Sequence, residues 1–209
     1  MKKLLFLLLL LPGMALSAQK SEEKLVRKSF DAYKKAILND RGEEAVKYVD
    51  SRTVKYYDDM AGLVKNADSA SVAGLSLMDR LMVFSIRHRA PKEEIPGFDG
   101  RKLLVYAIQN GMVGKNSVAG NEIGDVNIQG DFAKGQFIYQ KEPVPFYFDF
   151  YKENLMWKID LTALFPLSAV AFQKMVKDSD QEENEYLFFL LEMLTGRKPG
   201  PEIWLPAAN

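Results

Sequence analysis

The sequence predicts an α+β fold on two observations. Apolar residues recur at three- and four-residue steps over 26–37, 75–89, 103–108 and 182–194, the period of helices packed on one side. Between about 119 and 162 the period falls to two, interrupted by turn residues around Gly130, Pro143 and Asn154. Strands joined by such short turns run antiparallel, so this second region reads as a meander.

The chain opens with a leader pattern. Met1-Lys2-Lys3 is basic, Leu4 to Leu11 is a short apolar run broken by Pro12-Gly13, and Ala15-Leu16-Ser17-Ala18 offers small residues to a signal peptidase. The apolar run is too short to cross a bilayer. Residues 1–18 are therefore expected to be a signal peptide cut after Ala18, with a cut after Ser17 as the near alternative. The protein is expected to be exported, to the periplasm or the cell exterior. No later apolar run is long enough to span a membrane, and no Cys near the cut can carry a lipid.

Ser21 is placed as an N-cap, with Glu22 and Glu23 complementing the helix dipole. Val26, Phe30, Tyr33 and Ile37 then form the apolar stripe of a first helix ending near Asn39 to Gly42. Glu43 to Val49 reads as a short second helix, stopped by Asp50-Ser51. Thr53 to Tyr57, β-branched and aromatic, reads as a short strand, and residues 60–72 read as loop. Leu75 to Arg89 is a helix with Leu77, Leu81, Phe84 and His88 on one stripe, ended by Pro91. Asp99 or Gly100 opens another, with Gly111 as its cap. Four strands follow at about 119–129, 131–141, 144–152 and 155–162, turning at Gly130-Asp131, Pro143 to Pro145 and Glu153-Asn154. Helices over Ser168–Lys177 and Glu182–Leu194 precede a tail in which Ile203, Trp204 and Leu205 are expected to pack down.

A two-residue loop at Glu153-Asn154 sets the register of the last hairpin. Phe150 then faces Trp157 and Phe148 faces Ile159 on an apolar face. Asp149 faces Lys158 and Tyr147 faces Asp160 on the other, which also carries Tyr151.

Composition excludes several classes. Lys and Arg number 28 against 28 Asp and Glu, and losing Lys2 and Lys3 leaves a slight acidic excess, which argues against nucleic acid or an anionic membrane as a partner. With no Cys there are no disulfides, thiolate chemistry or Cys-bound metal. Asp50, Asp58 and Asp59 lack the alternating ligands and closing Glu of a Ca²⁺ loop, and Gly111 and Gly114 do not form a phosphate loop. No metal, cofactor or catalytic motif is identified.

Two stretches resemble a known superfamily. Phe30-Asp31-Ala32-Tyr33 through Glu43-Glu44-Ala45-Val46 to Val54-Lys55-Tyr56-Tyr57-Asp58 is one. The meander closing on Trp157-Lys158-Ile159-Asp160 is the other. Together they resemble the nuclear transport factor 2-like superfamily over about 21–60 and 117–163. The resemblance implies a cystatin- or cone-like arrangement, a curved antiparallel sheet wrapped around the N-terminal helix with a pocket at its wide end. On this basis 19–163 is one domain with a helical insert at about 64–113, and 163–209 is a helical extension of it. The insert and the extension depart from the basic cone and would cover its mouth. The superfamily includes isomerases, dehydratases and non-catalytic pocket proteins, and no local motif here matches its catalytic carboxylates.

The pocket candidates are Tyr33, Tyr57, Tyr147, Asp149, Tyr151, Lys158 and Asp160. Inside a cone, Asp149 or Asp160 would gain a raised pKa suited to general-base work beside Tyr147. On an outer face Asp149 is simply a solvated partner of Lys158. Tyr33 on the helix stripe would offer its hydroxyl to a ligand or pack in the core. His88 reads as a packed histidine near a helix C-terminus. Arg80, Arg87 and Arg89 read as solvated helix charges, with carboxylate or phosphate binding as the alternative. Three functions follow: a non-catalytic module binding a small amphipathic ligand or an envelope protein; an acid–base pocket enzyme using Asp149 or Asp160 with Tyr147; and a structural homodimer joined through Tyr147 and Tyr151.

Overall fold

A computed structural model of the chain describes residues 12–113 and 115–207. Residues 1–11 of the expected leader lie outside these residues, and no side chain before Gln19 is described.

The fold is α+β, with helices on both sides in sequence of a four-stranded antiparallel sheet of order β1-β2-β3-β4. The strands are β1 (Asn121–Gln129), β2 (Phe132–Tyr139), β3 (Glu142–Glu153) and β4 (Met156–Asp160). Bulges between Ile123 and Val126 and between Gln136 and Ile138 bend the sheet.

Helix α1 (Pro12–Leu38) passes through Ser21, so Ser21 does not cap it as expected. Its stripe packs on the sheet. The Phe30 ring lies 5.1 Å from that of Phe148. Lys34 donates to the Asn121 carbonyl on β1 at 2.7 Å, and Ser29 donates to the Trp157 carbonyl on β4. Glu22 accepts from the Trp157 indole at 2.7 Å and from Lys152 at 2.8 Å. One helix is thus bonded to both edge strands. Full burial of Phe30 or Phe150 contributes about 1.5–3 kcal/mol each, more than the partly exposed contacts of Lys34 and Glu22.

A short α2 (Gly42–Ala45) and a 3₁₀ turn (Val46–Tyr48) lead to α3 (Ser51–Asn66). The expected strand at Thr53–Tyr57 is therefore helix, and the expected loop at 60–72 holds the rest of α3 and α4 (Ser69–Ala73). The reason is local. Asp50, stopping one helix, accepts from the Thr53 amide at 2.9 Å and starts the next. The buried positions Thr53, Tyr57, Met60, Ala61 and Val64 then follow a helical period that a five-residue window cannot reveal.

Ser76 caps α5 (Leu77–Arg89) and Asp99 caps α6 (Gly100–Gln109). Gly100 is required for packing: a Cβ there would lie 2.1 Å from the Val54 carbonyl oxygen, so α6 meets α3 backbone to backbone. Helices α7 (Phe165–Asp178) and α8 (Glu183–Thr195) lean on α5. The tail packs down in part: Trp204 meets the Phe84 ring at 4.7 Å and Ile203 is buried, but Leu205 is exposed, against expectation.

Gly130-Asp131 turns β1 into β2 as expected, but the other two turns between strands differ from expectation. The β2–β3 turn is Gln140-Lys141, both at positive φ, and Pro143 and Pro145 lie inside β3. The β3–β4 turn is Asn154-Leu155, with φ of 49° and 65°, one residue later than Glu153-Asn154. Hence Phe150 pairs with Ile159, Lys152 with Trp157, Tyr151 with Lys158, and Asp149 with Asp160 rather than Lys158. The slide is by two positions, so each side chain keeps its expected face. Phe148, Phe150, Trp157 and Ile159 face α1 and the core.

Candidate functional site

Between α1 and the inner face of the sheet lies a cavity of about 560 Å³. Phe30 and Tyr33 come from α1, Tyr57 from α3, Leu104 from α6, and Phe148 and Ile159 from the sheet. The segment 116–118, Leu164, and Phe165, Leu167 and Ser168 at the start of α7 complete the walls. Tyr139, Phe146 and Leu167 are exposed and form a rim. The Trp204 ring sits against Phe84, away from this cavity, and does not plug it.

Among the described residues no Asp, Glu, Lys, Arg or His lines the cavity. Its polar groups are neutral: the hydroxyls of Tyr33, Tyr57 and Tyr139, together with Asn116, Ser117, Asn121 and Ser168. The Asn121 amide nitrogen is spent on the Ser117 carbonyl at 2.7 Å, and the Ser168 hydroxyl on the Leu164 carbonyl at 3.1 Å. The buried Tyr33 and Tyr57 hydroxyls make no hydrogen bond to another described residue. Burial pushes the Tyr57 phenol up to about 12, and burial and the neighbouring Tyr57 push Tyr33 higher. Both stay protonated at neutral pH and keep a donor for an oxygen brought by a ligand. The volume falls in the ordinary range for small-molecule sites, about 300–1,000 Å³, and an apolar lining with a few polar groups is typical of them.

The sequence placed seven candidates, and two of them, Tyr33 and Tyr57, line this cavity. Tyr147, Asp149, Tyr151, Lys158 and Asp160 lie on the opposite face of the sheet, turned away from α1. There Lys134 approaches Asp149 at 3.7 Å, Lys158 approaches Glu153 at 3.2 Å, and the Arg52 guanidinium stacks 3.4 Å from the Tyr151 ring centre. Asp160 is buried and accepts from the Thr162 amide at 2.9 Å. Asp149 is raised above the usual carboxylate range by burial; Lys134 pulls it back in part and Asp160 pushes it further. Tyr147 is exposed.

The three arginines are not all solvated. Arg80 is buried against Asn184 at 2.7 Å, with Glu183 at 3.3 Å. Arg87 is buried and donates to the carbonyls of Leu63, Val64, Ala67 and Ile203 at 2.6–3.1 Å. It closes the C-terminus of α3, where a guanidinium reaches several end carbonyls at once. The stripe Leu77, Leu81, Phe84, His88 is in effect rotated, because Val83, Ile86 and Arg87 are also buried. His88 is packed as expected, its Nε2 3.0 Å from both the Thr195 hydroxyl and the Arg197 carbonyl.

The rim residues Tyr139, Phe146 and Leu167 were not singled out from sequence. Their signal was present as aromatic and aliphatic residues in excess of what the strand and helix periods need to bury. Among the described residues no group of three or more His, Asp or Glu is placed to hold a metal. No family model matches the chain, and no curated protein or solved structure matches it.

Proposed function

We propose that this is an exported, non-catalytic binding protein for a small, uncharged, apolar-to-amphipathic molecule held between α1 and the sheet. The observation that carries the reading is the lining: aromatic and aliphatic side chains with only neutral polar groups. A charged ligand group would lose its hydration there without gaining a counter-ion, at a cost of several kcal/mol. A hydroxyl or carbonyl would instead meet the free Tyr33 and Tyr57 hydroxyls. The acid–base reading has no support from this cavity, since neither Asp149 nor Asp160 lines it.

The nuclear transport factor 2-like resemblance is retained as part of the proposal. It is supported by α1 bonding to both edge strands and by the bulges that bend the sheet. Export rests on the leader pattern, and N-terminal sequencing of the secreted chain tests it, with Gln19 as the expected first residue. The ligand class is tested by thermal shift with a long-chain alcohol and its matching carboxylate. The alcohol is expected to raise Tm, increasingly with its free concentration. Equal or greater stabilisation by the carboxylate overturns the uncharged-ligand reading.

A further inference from the structure

Four helices, α3, α5, α6 and α8, end around a second cleft of about 410 Å³, far from the first in its chemistry. Five cationic side chains line it: Arg87, Arg89, Lys92, Arg197 and Lys198. Among the described residues none of the five has a carboxylate within ion-pair distance, although eleven ion pairs form elsewhere. Glu202 is the single acid in the lining, and its carboxylate is folded onto Gly200. Glu93 and Glu94 follow Lys92 in sequence but do not line the cleft.

Part of this charge has a structural purpose. Arg87 closes α3, Arg197 donates to the His88 carbonyl at the end of α5, and Arg89 donates at 2.7 Å to the Asn110 carbonyl that caps α6. Each helix end carries roughly half a negative charge, so four ends and Glu202 leave the cleft with an excess of roughly two positive charges. Lys92 and Lys198 account for that excess: both are exposed and make no hydrogen bond to another described residue. Helix capping does not need them there.

We propose that this cleft binds a phosphate-type dianion through Arg89, Lys92, Arg197 and Lys198. The guanidiniums present paired N–H donors to its oxygens and the two ammonium groups supply the balancing charge. A monocarboxylate leaves half of the excess uncompensated.

His88 lines the same cleft and is the one histidine of the chain, which makes its ring an isolated NMR reporter. Burial, Arg197 and Arg89 hold it below the usual imidazole range. The test is a titration of the purified chain with inorganic phosphate replacing chloride at constant ionic strength. The expected result is a saturable shift of the His88 resonances and a rise in its pKa. The double variant Lys92→Glu with Lys198→Glu weakens the response about tenfold, as expected when two cations facing a dianion are reversed. Circular dichroism checks its fold, and Lys92→Gln with Lys198→Gln serves as a milder second variant with a smaller loss. Vesicles containing phosphatidic acid, compared with phosphatidylcholine alone, distinguish a lipid headgroup from a free phosphate. Saturable phosphate binding supports a soluble ligand. Silence with phosphate but phosphatidic acid binding that the variants weaken supports a headgroup. Silence with both, or variants that bind as the wild type does, overturns the proposal.

Discussion

The rings of Phe30 on α1 and Phe148 on β3 meet 5.1 Å apart, tilted by 46°, at the inner end of the apolar cavity. This contact joins the first helix to the sheet, and Phe148 also touches Phe137 at 4.8 Å. Replacing Phe148 with Ala is expected to destabilise the protein by about 3–5 kcal/mol, because a buried ring is lost from a wall that already borders empty space. Chemical denaturation measures it, with an unchanged m-value confirming that the unfolding remains comparable.

Tyr33 behaves differently. Its ring is core but its hydroxyl has no partner among the described residues. Tyr33→Phe is expected to change stability by less than about 1 kcal/mol, since no protein hydrogen bond is broken. The same substitution is expected to weaken a ligand bearing a hydroxyl or carbonyl while leaving a pure hydrocarbon unaffected. Paired binding titrations with a hydrocarbon and its alcohol check this.

Arg87 is expected to be the most sensitive charged residue. Arg87→Met removes four hydrogen bonds, leaves the carbonyls of Ala67 and Ile203 without their side-chain donor while those of Leu63 and Val64 keep a backbone amide, and is expected to cost about 3 kcal/mol or more. Arg87→Lys is expected to recover little, because one ammonium cannot reach four carbonyls spread around a planar fork. Thermal and denaturant unfolding of both variants provide the comparison.

Two carboxylates give opposite pH slopes. Asp149 is raised by burial, so its ionisation is disfavoured in the folded chain. Its contribution is best below the ordinary carboxylate range and declines as pH rises through the window up to its raised value. Asp149→Asn is expected to remove that decline and to stabilise at neutral pH. Glu22 is lowered by hydrogen bonds from Lys152 and Trp157. Its contribution is present above the ordinary range and is lost as pH falls through its lowered value, so Glu22→Gln is expected to weaken the protein at neutral pH and converge with wild type in acid. Denaturation midpoints from acid to neutral pH resolve the two signs.

Much of the sheet was legible because alternation and turn residues are local signals. Phe148, Phe150, Trp157 and Ile159 declare one face by alternation alone, and a register slide of two residues leaves that face intact. The exact partners were not legible, since Leu155 at positive φ is a turn choice that no propensity favours. The stretch Thr53–Tyr57 misled because β-branched and aromatic residues also suit a helix buried against two neighbours. Its helical period becomes visible only with Met60, Ala61 and Val64 included. For the site, Tyr33 could be read from its place on the α1 stripe. Which face of the meander met α1 could not, because the core face and the face of Tyr147 and Asp149 both carry aromatic residues.

The central claim is that the space between α1 and the sheet accepts an uncharged apolar molecule. The most direct measurement is fluorescence titration with N-phenyl-1-naphthylamine, a neutral apolar probe, on the wild type and on Ser168→Trp. Ser168 is exposed at the cavity edge, so a Trp there fills the entrance without disturbing the core. Saturable enhancement with one site per chain, lost in Ser168→Trp while the unfolding transition is retained, is the expected result. No saturable binding to the wild type, or equal binding to the filled variant, contradicts the claim.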